Sequence, residues 1–186
     1  MKKILALGCV LALSALSTSA LAGNAFVRGE LGQSDVNAKI DGTGNSGSDK
    51  DNAFSLRGGY WFNSNFAVEG HYSKFYDETV YDDGTNHASA KLSAIGLGVV
   101  VKEHATPTDL GFFVQLRGGL ARGKLSVDSN LGSGSETSTK PYYGIGAGYD
   151  FSKQYGVSLN YDHNQGSGGG LRLRANTLSL GFEARF

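Results

Sequence analysis

The chain is poor in cysteine and proline. Cys9 is its only cysteine, and 2 prolines accompany 28 glycines among 186 residues. Glycine-rich disordered chains usually carry proline as well, so this combination argues against disorder, as does an aromatic content of 11%. One cysteine provides no intramolecular disulfide, so an exported chain of this kind must be stabilised by its other contacts.

An excess of one charge and a long apolar run are also missing. Lys and Arg number 17, as do Asp and Glu, so the basic excess of a nucleic-acid-binding chain is absent and we expect no nucleic acid partner. After residue 22, no stretch approaches the ~20 apolar residues of a membrane-spanning helix. If the chain crosses a membrane, it must do so with strands, which cross only as a closed barrel.

The amino terminus has the three parts of an export signal. Two lysines precede an apolar run over residues 4–16, and small residues follow up to Ala22. This order is typical of a secretory signal peptide cleaved after Ala22. The alternative is a lipoprotein acylated at Cys9, but only five residues separate it from the second lysine, too few for a signal core. The sequence therefore predicts a signal peptide over 1–22 and one domain over 23–186.

The rest of the chain contains eight segments in which apolar and polar residues alternate. They are residues 25–34, 53–62, 66–75, 89–102, 111–124, 141–151, 155–164 and 172–186. Each is at least about as long as the ~9 to 11 residues of a tilted membrane strand. The connections 63–65, 103–110 and 152–154 are short to moderate, whereas 35–52, 76–88, 125–140 and 165–171 are mostly longer and polar. This pattern predicts an all-β fold, an eight-stranded antiparallel up-and-down transmembrane β-barrel with external loops.

Alternation gives each segment an apolar and a polar face, because successive strand side chains point to opposite sides. The apolar face comprises Val27, Leu31, Phe54, Leu56, Tyr60, Phe62, Phe66, Val68, Tyr72, Ile95, Leu97, Val99, Val101, Phe112, Val114, Leu116, Leu120, Tyr143, Ile145, Tyr149, Phe151, Val157, Leu159, Tyr161, Leu178, Leu180, Phe182, Ala184 and Phe186. Aromatic residues beside the short turns predict a girdle at the periplasmic interface. The alternative is a soluble lipocalin-type barrel with this face turned inward.

Four stretches carry a family resemblance. They are residues 26–32, 56–62, 66–72 and 180–186. They resemble the small outer-membrane β-barrel superfamily, which includes the transmembrane domain of outer membrane protein A, outer membrane protein X and the Ail adhesins, and the opacity proteins. The resemblance implies a location in the outer membrane of a Gram-negative bacterium. It also implies that Phe186 ends a signal recognised by the barrel assembly machinery. No peptidoglycan-binding domain is seen after Phe186, so we do not expect cell-wall anchoring.

Charged residues lie on the polar phase of the strands. They are Arg28, Glu30, Arg57, Glu69, His71, Arg117, Asp162, Glu183 and Arg185, accompanied by Gln115 and Asn160. Side chains just fill an eight-stranded barrel, and an unpaired buried ion costs several kcal/mol. The balanced charges therefore predict a paired network that plugs the interior. The alternative, implied by the resemblance to outer membrane protein A, is a gate in which arginines exchange partners and open a narrow pore.

The sequence contains no arrangement typical of catalysis or metal binding. A lipid A deacylase of this size resembles a His-x-Ser-Asn arrangement facing the lipid; here His71 and Ser73 have no Asn after them, and His71 has the inward phase. His163 lacks the serine, His87 lies in an expected loop and His104 in an expected periplasmic connection. Scattered histidines without cysteines give no ligand spacing. We therefore expect no enzyme, no metal and no cofactor, with a lipid A-modifying enzyme as the least favoured alternative.

The expected external loops are polar and acidic. Their acidic residues are Asp35, Asp41, Asp49, Asp51, Asp77, Glu78, Asp82 and Asp83. Rigid scaffolds carry recognition on loops, so a host or surface ligand is expected there. Basic residues near the expected outer rim are Lys74, Lys91, Arg122, Lys124, Lys140, Arg172 and Arg174. They predict contact with lipopolysaccharide phosphates; ordinary snorkelling cations are the alternative.

Two functional classes agree with these features. The first is a surface interaction protein, adhesin-type, or an envelope-structural protein; the second is a narrow gated pore. The expected partners are outer-membrane lipid and lipopolysaccharide, the barrel assembly machinery and a ligand of the loops. A monomer is expected, because a closed barrel leaves no strand edge that requires a partner.

Overall fold

Eight antiparallel strands close into one barrel in the computed structural model, which describes residues 24–40, 46–82, 87–129, 132–168 and 171–186. The strands are β1 (Ala25–Ile40), β2 (Ser46–Trp61), β3 (Phe66–Asp82), β4 (His87–His104), β5 (Gly111–Ser129), β6 (Gly132–Asp150), β7 (Tyr155–Gly168) and β8 (Leu171–Arg185). Sequential strands are neighbours, and β1 pairs with β8 from Phe26↔Arg185 to Ile40↔Leu171. The predicted fold class is confirmed.

The signal peptide expected at residues 1–22 lies outside the described residues. Within the described ranges, no helix has the length and apolar character needed to span a membrane.

The short connections β2–β3, β4–β5 and β6–β7 lie at one end of the barrel, which we call the inner end, and the opposite end is the outer end. These inner connections are turns held by local hydrogen bonds. Asn63 Oδ1 accepts from the backbone N–H groups of Asn65 and Phe66 at 2.9 and 2.8 Å. Ser152 Oγ accepts from the N–H of Tyr155 at 3.0 Å. Gly111, which follows the β4–β5 connection, has a φ of 93°, a left-handed conformation that glycine adopts without strain. The inner strand ends therefore lie close to where turn-forming residues predict them.

The described outer parts of the hairpins are strands, so the prediction of long polar loops over 35–52, 76–88, 125–140 and 165–171 was wrong for those residues. β5 and β6 have 19 residues each and pair up to Ser129↔Gly132. At ~3.3 Å per residue and a tilt of about 40°, such a strand spans about 45 Å, more than the ~25 Å apolar band of an outer-membrane barrel. Pairing across the hairpin overrides the weak strand propensity of Gly, Ser, Asp and Asn.

The acidic residues expected in loops are accordingly in strands or outside the described residues. Asp35 lies in β1, Asp49 and Asp51 in β2, and Asp77, Glu78 and Asp82 in β3, whereas Asp41 and Asp83 are among the residues not described.

Two seams divide the outer parts of the strands into two sheets. Among the described residues, β2 and β3 pair from Phe54↔Lys74 to their short turn, and β6 and β7 from Tyr143↔His163 to theirs, but not farther towards the outer ends. The other neighbouring strands pair almost to their hairpin ends. One outer sheet therefore contains β7, β8, β1 and β2, and the other contains β3 to β6.

The outward face forms an apolar belt, as predicted. Leu97, Phe112 and Leu180 are 75, 70 and 67% exposed, whereas inward Arg28 is 1% exposed. Aromatic rings meet beside the inner turns, with centroids of Tyr60 and Phe62 5.6 Å apart. This is the arrangement of a membrane barrel and the inverse of a lipocalin.

The inward face has an apolar cluster towards each end. The inner cluster contains Phe26, Trp61, Ala67 and Val100. The outer cluster contains Phe75, Leu92, Ala94, Ala121, Tyr142 and Ala175. Arg28, Arg57 and Glu69 occupy strand positions between these clusters, whereas Arg185 lies opposite Phe26, level with the inner cluster. The interior is therefore a layered core.

Candidate functional site

Glu30 is the centre of the part of the interior charge network that lies farther from the inner end. Its carboxylate accepts from Arg57 Nε at 2.9 Å and from Arg117 Nη1 at 2.6 Å. Arg57 Nη1 also donates to Glu69 Oε1 at 2.7 Å, and Arg117 Nε donates to Asp162 Oδ1 at 2.6 Å. Strands β1, β2, β3, β5 and β7 supply these five side chains, so the network ties distant parts of the barrel wall together.

A second group of charges lies nearer the inner end. Arg28 pairs with Glu183, and Arg185 Nη2 donates to Asp150 Oδ1 at 2.7 Å. Lys102 Nζ is 3.3 Å from Asp150 Oδ2 and 3.6 Å from Glu183 Oε1. The same ammonium group lies over two rings, 4.7 Å from the centroid of Trp61 and 4.1 Å from that of Phe113. Ion pairs and cation–π contacts therefore hold the Lys102 ammonium group together.

The sequence located most of this network but missed four members. All nine predicted interior residues lie inside, buried or, for Arg185, partly buried. Lys102, His104, Tyr142 and Asp150 were not assigned to it. His104 ends β4 with Nε2 2.8 Å from Asp150 Oδ2, so its assignment to a periplasmic connection was wrong. Strand phase was the available signal, since Lys102 is two residues from inward Val100.

The interior charges are balanced and paired. Arg28, Arg57, Arg117, Arg185 and Lys102 face Glu30, Glu69, Asp162, Glu183 and Asp150, and each has an ion partner. Pairing compensates the cost of taking these groups out of water, although removal of one partner leaves an uncompensated buried charge. Chemically, the network stabilises one arrangement of the strands.

Inward glycines on β6 make room for these side chains. A Cβ atom at Gly144 would lie 2.2 Å from Asp162 Oδ1, and one at Gly146 would lie 2.3 Å from Asn160 Oδ1. Contacts this short do not occur, so the polar side chains occupy the space that a β-carbon on β6 would need. The glycine content of this strand follows from the crowded interior.

The basic residues predicted at the outer rim lie on two parts of the barrel. Lys74, Lys91, Arg122 and Lys124 are on β3 to β5, and Arg172 and Arg174 are on β8. All six share the outward strand phase, and Arg122 Nη2 donates to Thr137 Oγ1 at 3.2 Å. Lys140 differs, because it shares the inward phase of Tyr142 and is partly buried.

The described histidine side chains are held in structural contacts. The ring of His71 is buried against Tyr142, with centroids 4.6 Å apart, and Tyr142 Oη donates to Glu69 Oε1 at 2.9 Å. His163 Nδ1 is 2.6 Å from Asn176 Oδ1. Within the described ranges, no three His, Cys, Asp or Glu side chains are grouped to hold a metal ion.

Comparison with known proteins identifies the family. Residues 9–186 match the profile of the family described as outer membrane protein beta-barrel domain. The chain belongs to this family. No curated protein matches the sequence.

Solved structures of similar fold are outer-membrane or surface barrels. Neisserial surface protein A (NspA) has a TM-score of 0.67 at 19% identity, covering 88% of this chain and 99% of its own. Ail of Yersinia pestis, in complex with the heparin analogue sucrose octasulfate, has a TM-score of 0.58 at 17% identity, covering 87% and 99%. The amino-terminal barrel of OprF from Pseudomonas aeruginosa has a TM-score of 0.52 at 15% identity, covering 84% and 96%. At these identities the likeness concerns the fold.

Family membership locates this outer-membrane barrel in the outer membrane of a Gram-negative bacterium. Its apolar belt is the lipid-facing surface, and the short turns beside the aromatic girdle are its periplasmic side. The long hairpins therefore project away from the cell.

Proposed function

We propose that this barrel is a surface interaction protein, in which the closed interior anchors the fold and the long external hairpins bind a partner. The observation that carries the proposal is the continuation of paired strands beyond the apolar belt on the outer side alone. Backbone hydrogen bonds between paired strands hold a surface in one conformation, which lowers the conformational entropy lost on binding. A purely structural barrel has no need of such hairpins.

The filled interior supports a role on the outer surface. Apolar clusters lie towards both ends of the interior, and the paired residues Arg28, Glu30 and Arg57 are each at most 2% exposed. A packed core of this kind leaves the outer surface as the part of the molecule that meets other macromolecules.

Shortening the hairpins tests the proposal. Asn-Gly turns would join Asp35 to Lys50, Lys74 to Ser93, Leu125 to Glu136 and Gln165 to Arg174, pairs that already face each other in the ladders. Bacteria producing the shortened chain should lose adhesion to host cells, while exclusion of a dye by their outer membrane stays unchanged. Unaltered adhesion would overturn the proposal. Retained heat-dependent gel mobility is the control that the barrel has folded.

We further propose that the outward rim cations contact phosphates of lipopolysaccharide. Their outward phase just beyond the apolar belt supports this, since Lys and Arg are suited to phosphate. Replacing Arg122, Lys124, Arg172 and Arg174 together by Gln should weaken lipopolysaccharide binding at least about tenfold at low salt. Lys140→Gln, on the inward phase, is the matched control. Sucrose octasulfate, bound by Ail, serves as a soluble polyanion for the same variants. Equal binding by both variants would refute the rim contact.

A gated pore is the second candidate. Lys102 stands between Asp150 and Glu183, each of which also pairs with Arg185, so the inner charges have alternative partners. If exchange among them opens a path, Lys102→Met should change single-channel conductance in a planar bilayer. Our first proposal predicts no sustained conductance from either chain.

A further inference from the structure

The lipid-facing wall of the barrel contains a groove of about 1700 Å³. Outward side chains of β1 to β6 and β8 line most of it. Its floor is backbone at outward glycines, of which Gly58 on β2 and Gly70 on β3 face each other. Gly29 on β1 lies diagonally from Gly58, because Val27 is the residue that faces Gly58. We call this depression the wall groove.

The strand packing does not require glycine at these three positions. A Cβ atom added to Gly29 would meet nothing within 4 Å, and one added to Gly58 would be 3.6 Å from the carbonyl oxygen of Phe26. One added to Gly70 would be 3.4 Å from Leu97 Cδ2, an ordinary van der Waals distance. Glycine inside a strand lowers stability and often marks a place where a ligand or a second backbone approaches closely. Because this face is the lipid-facing one, the approaching group comes from the membrane.

Apolar side chains rise around the glycine floor. Leu56, Tyr72 and Leu97 line the groove and are 43, 48 and 75% exposed. Leu56 faces Tyr72, so the pair of Gly58 and Gly70 lies two residues nearer the inner end than these two side chains. Walls of this kind accommodate a hydrocarbon chain, because a chain between them makes dispersion contacts on several sides.

Two cations line the wall groove towards the outer end. Lys74 lies four residues outward of Gly70 on β3, about 13 Å along the strand at ~3.3 Å per residue. Arg122 on β5 faces Ile95, which on its other side faces Tyr72, so the two cations flank β4. A length of about 13 Å is comparable with half of the ~25 Å apolar band, the depth that the acyl chains of one leaflet occupy. The groove is thus cationic at its outer end and apolar over the length of an acyl chain.

We infer that the wall groove binds one acyl chain of a lipid A molecule, a phosphate of which contacts Lys74 and Arg122. This deepens the proposed contact between rim cations and lipopolysaccharide and rests on it. Charge complementarity supports this occupant, because lipid A combines phosphates with several acyl chains and Lys and Arg are suited to phosphate. A chain enclosed by groove walls exchanges more slowly than the other lipids around a barrel. One lipid A molecule should therefore stay with the protein when the bulk lipid is removed.

A second copy of the chain does not fill the wall groove. In a symmetric pair of barrels the same surface patch faces itself, so the groove would lie against another groove. Two facing depressions leave their lining atoms without contacts, whereas a flexible hydrocarbon chain follows the shape of one depression.

Filling the wall groove tests the inference. Gly58→Leu places an apolar side chain on its floor, where a Cβ atom has room. Ala147→Leu, which faces outward Val114 on the lipid side of β6, is the matched control outside the groove. The full chain is extracted from outer membranes in non-ionic detergent, and native mass spectrometry measures the fraction that carries lipid A. Gly58→Leu should lower that fraction at least about tenfold, and the control should match the intact chain.

Two probes separate the wall groove from the rim contact. They are lipid A and its deacylated glucosamine disaccharide bisphosphate, which keeps the phosphates without the chains. Gly58→Leu should weaken binding of lipid A and leave binding of the disaccharide unchanged, whereas replacing Lys74 and Arg122 together by Gln should weaken both. Retained heat-dependent gel mobility shows that each variant has folded.

The two ideas can fail separately. Equal retention of lipid A by Gly58→Leu and Ala147→Leu would overturn the inference, as would a dimer of the intact chain that Gly58→Leu dissociates without loss of lipid A. A chain with Gln in place of Lys74 and Arg122 that binds both probes like the intact chain would refute the rim contact alone, provided that Gly58→Leu still releases lipid A.

Discussion

At the scale of single residues, glycine serves different purposes on the two faces of the barrel. A Cβ atom on inward Gly119 would lie 2.1 Å from the carbonyl oxygen of Leu97 and 2.5 Å from Gly98 Cα. A Cβ atom on outward Gly29 would meet nothing within 4 Å. The inward position requires glycine because strand backbones approach closely there, whereas the outward position has room for a side chain.

Alanine at these two positions should therefore have opposite effects. Gly119→Ala should lower the free energy of unfolding by about 1 to 3 kcal/mol, as overpacking does. Gly29→Ala should raise it by about 0.5 to 1 kcal/mol, because a strand glycine loses more conformational freedom on folding. Urea unfolding in lipid vesicles measures both, with Trp61, the chain's only tryptophan, as the fluorophore. Equal effects would show that the inward face is less crowded than described.

Removal of a single interior cation should be costly. Arg57→Met removes one close ion partner from Glu30 and one from Glu69. An uncompensated buried charge of this kind costs about 3 to 5 kcal/mol in unfolding free energy. Arg122→Met, at the exposed rim, is the control and should change it by less than about 1 kcal/mol. A small effect at Arg57 would mean that water reaches the network.

Strand phase places the interior charges, as at Arg57 and Glu69 within alternating segments. The same phase holds for Lys102, which follows outward Val101, and for Asp150, which lies between outward Tyr149 and Phe151. These two were therefore predictable from the pattern although they were not assigned to the interior. Tyr142 was missed because its ring contacts His71 across the barrel and no local pattern reports such a contact.

At the scale of strands, the inner ends were predictable and the outer ends were not. Asn63 and Ser152 mark inner turns by their own hydrogen bonds. On the outer side, residues 132–140 have the composition of a loop yet form a strand paired with β5. Pairing with another strand decides the conformation there, and the local composition of the segment does not reveal that pairing.

A charged side chain placed on the apolar belt should lower the free energy of unfolding more, the nearer it lies to the middle of the membrane. Leu180→Arg places a cation on the lipid face at a position 67% exposed and should lower the free energy of unfolding by about 2 to 4 kcal/mol. Ser135→Arg, exposed on the outward face of β6 opposite Ser126 and beyond the belt, should change it by at most about 1 kcal/mol. Unfolding in vesicles compares the two. Similar costs would place the membrane higher on the barrel than we do.

At the scale of the whole molecule, strand pairing has two separate results: it closes the barrel wall, and it extends the hairpins beyond the membrane. The β1–β8 pairing closes the wall, the paired charges fill it, and the hairpins continue beyond the membrane as two sheets divided by seams. Closure explains how the chain resides in the outer membrane. Extension provides the surface on which we place recognition.

The central claim is that the outer hairpins are ordered, paired strands on a closed barrel. Residue-resolved amide hydrogen exchange of the full chain in lipid nanodiscs tests it most directly. We expect amides in residues 125–129 and 132–139 to exchange at least about a hundredfold more slowly than those of an unstructured chain. Exchange there at the rate of an unstructured chain, with protection confined to the membrane belt, would contradict the claim.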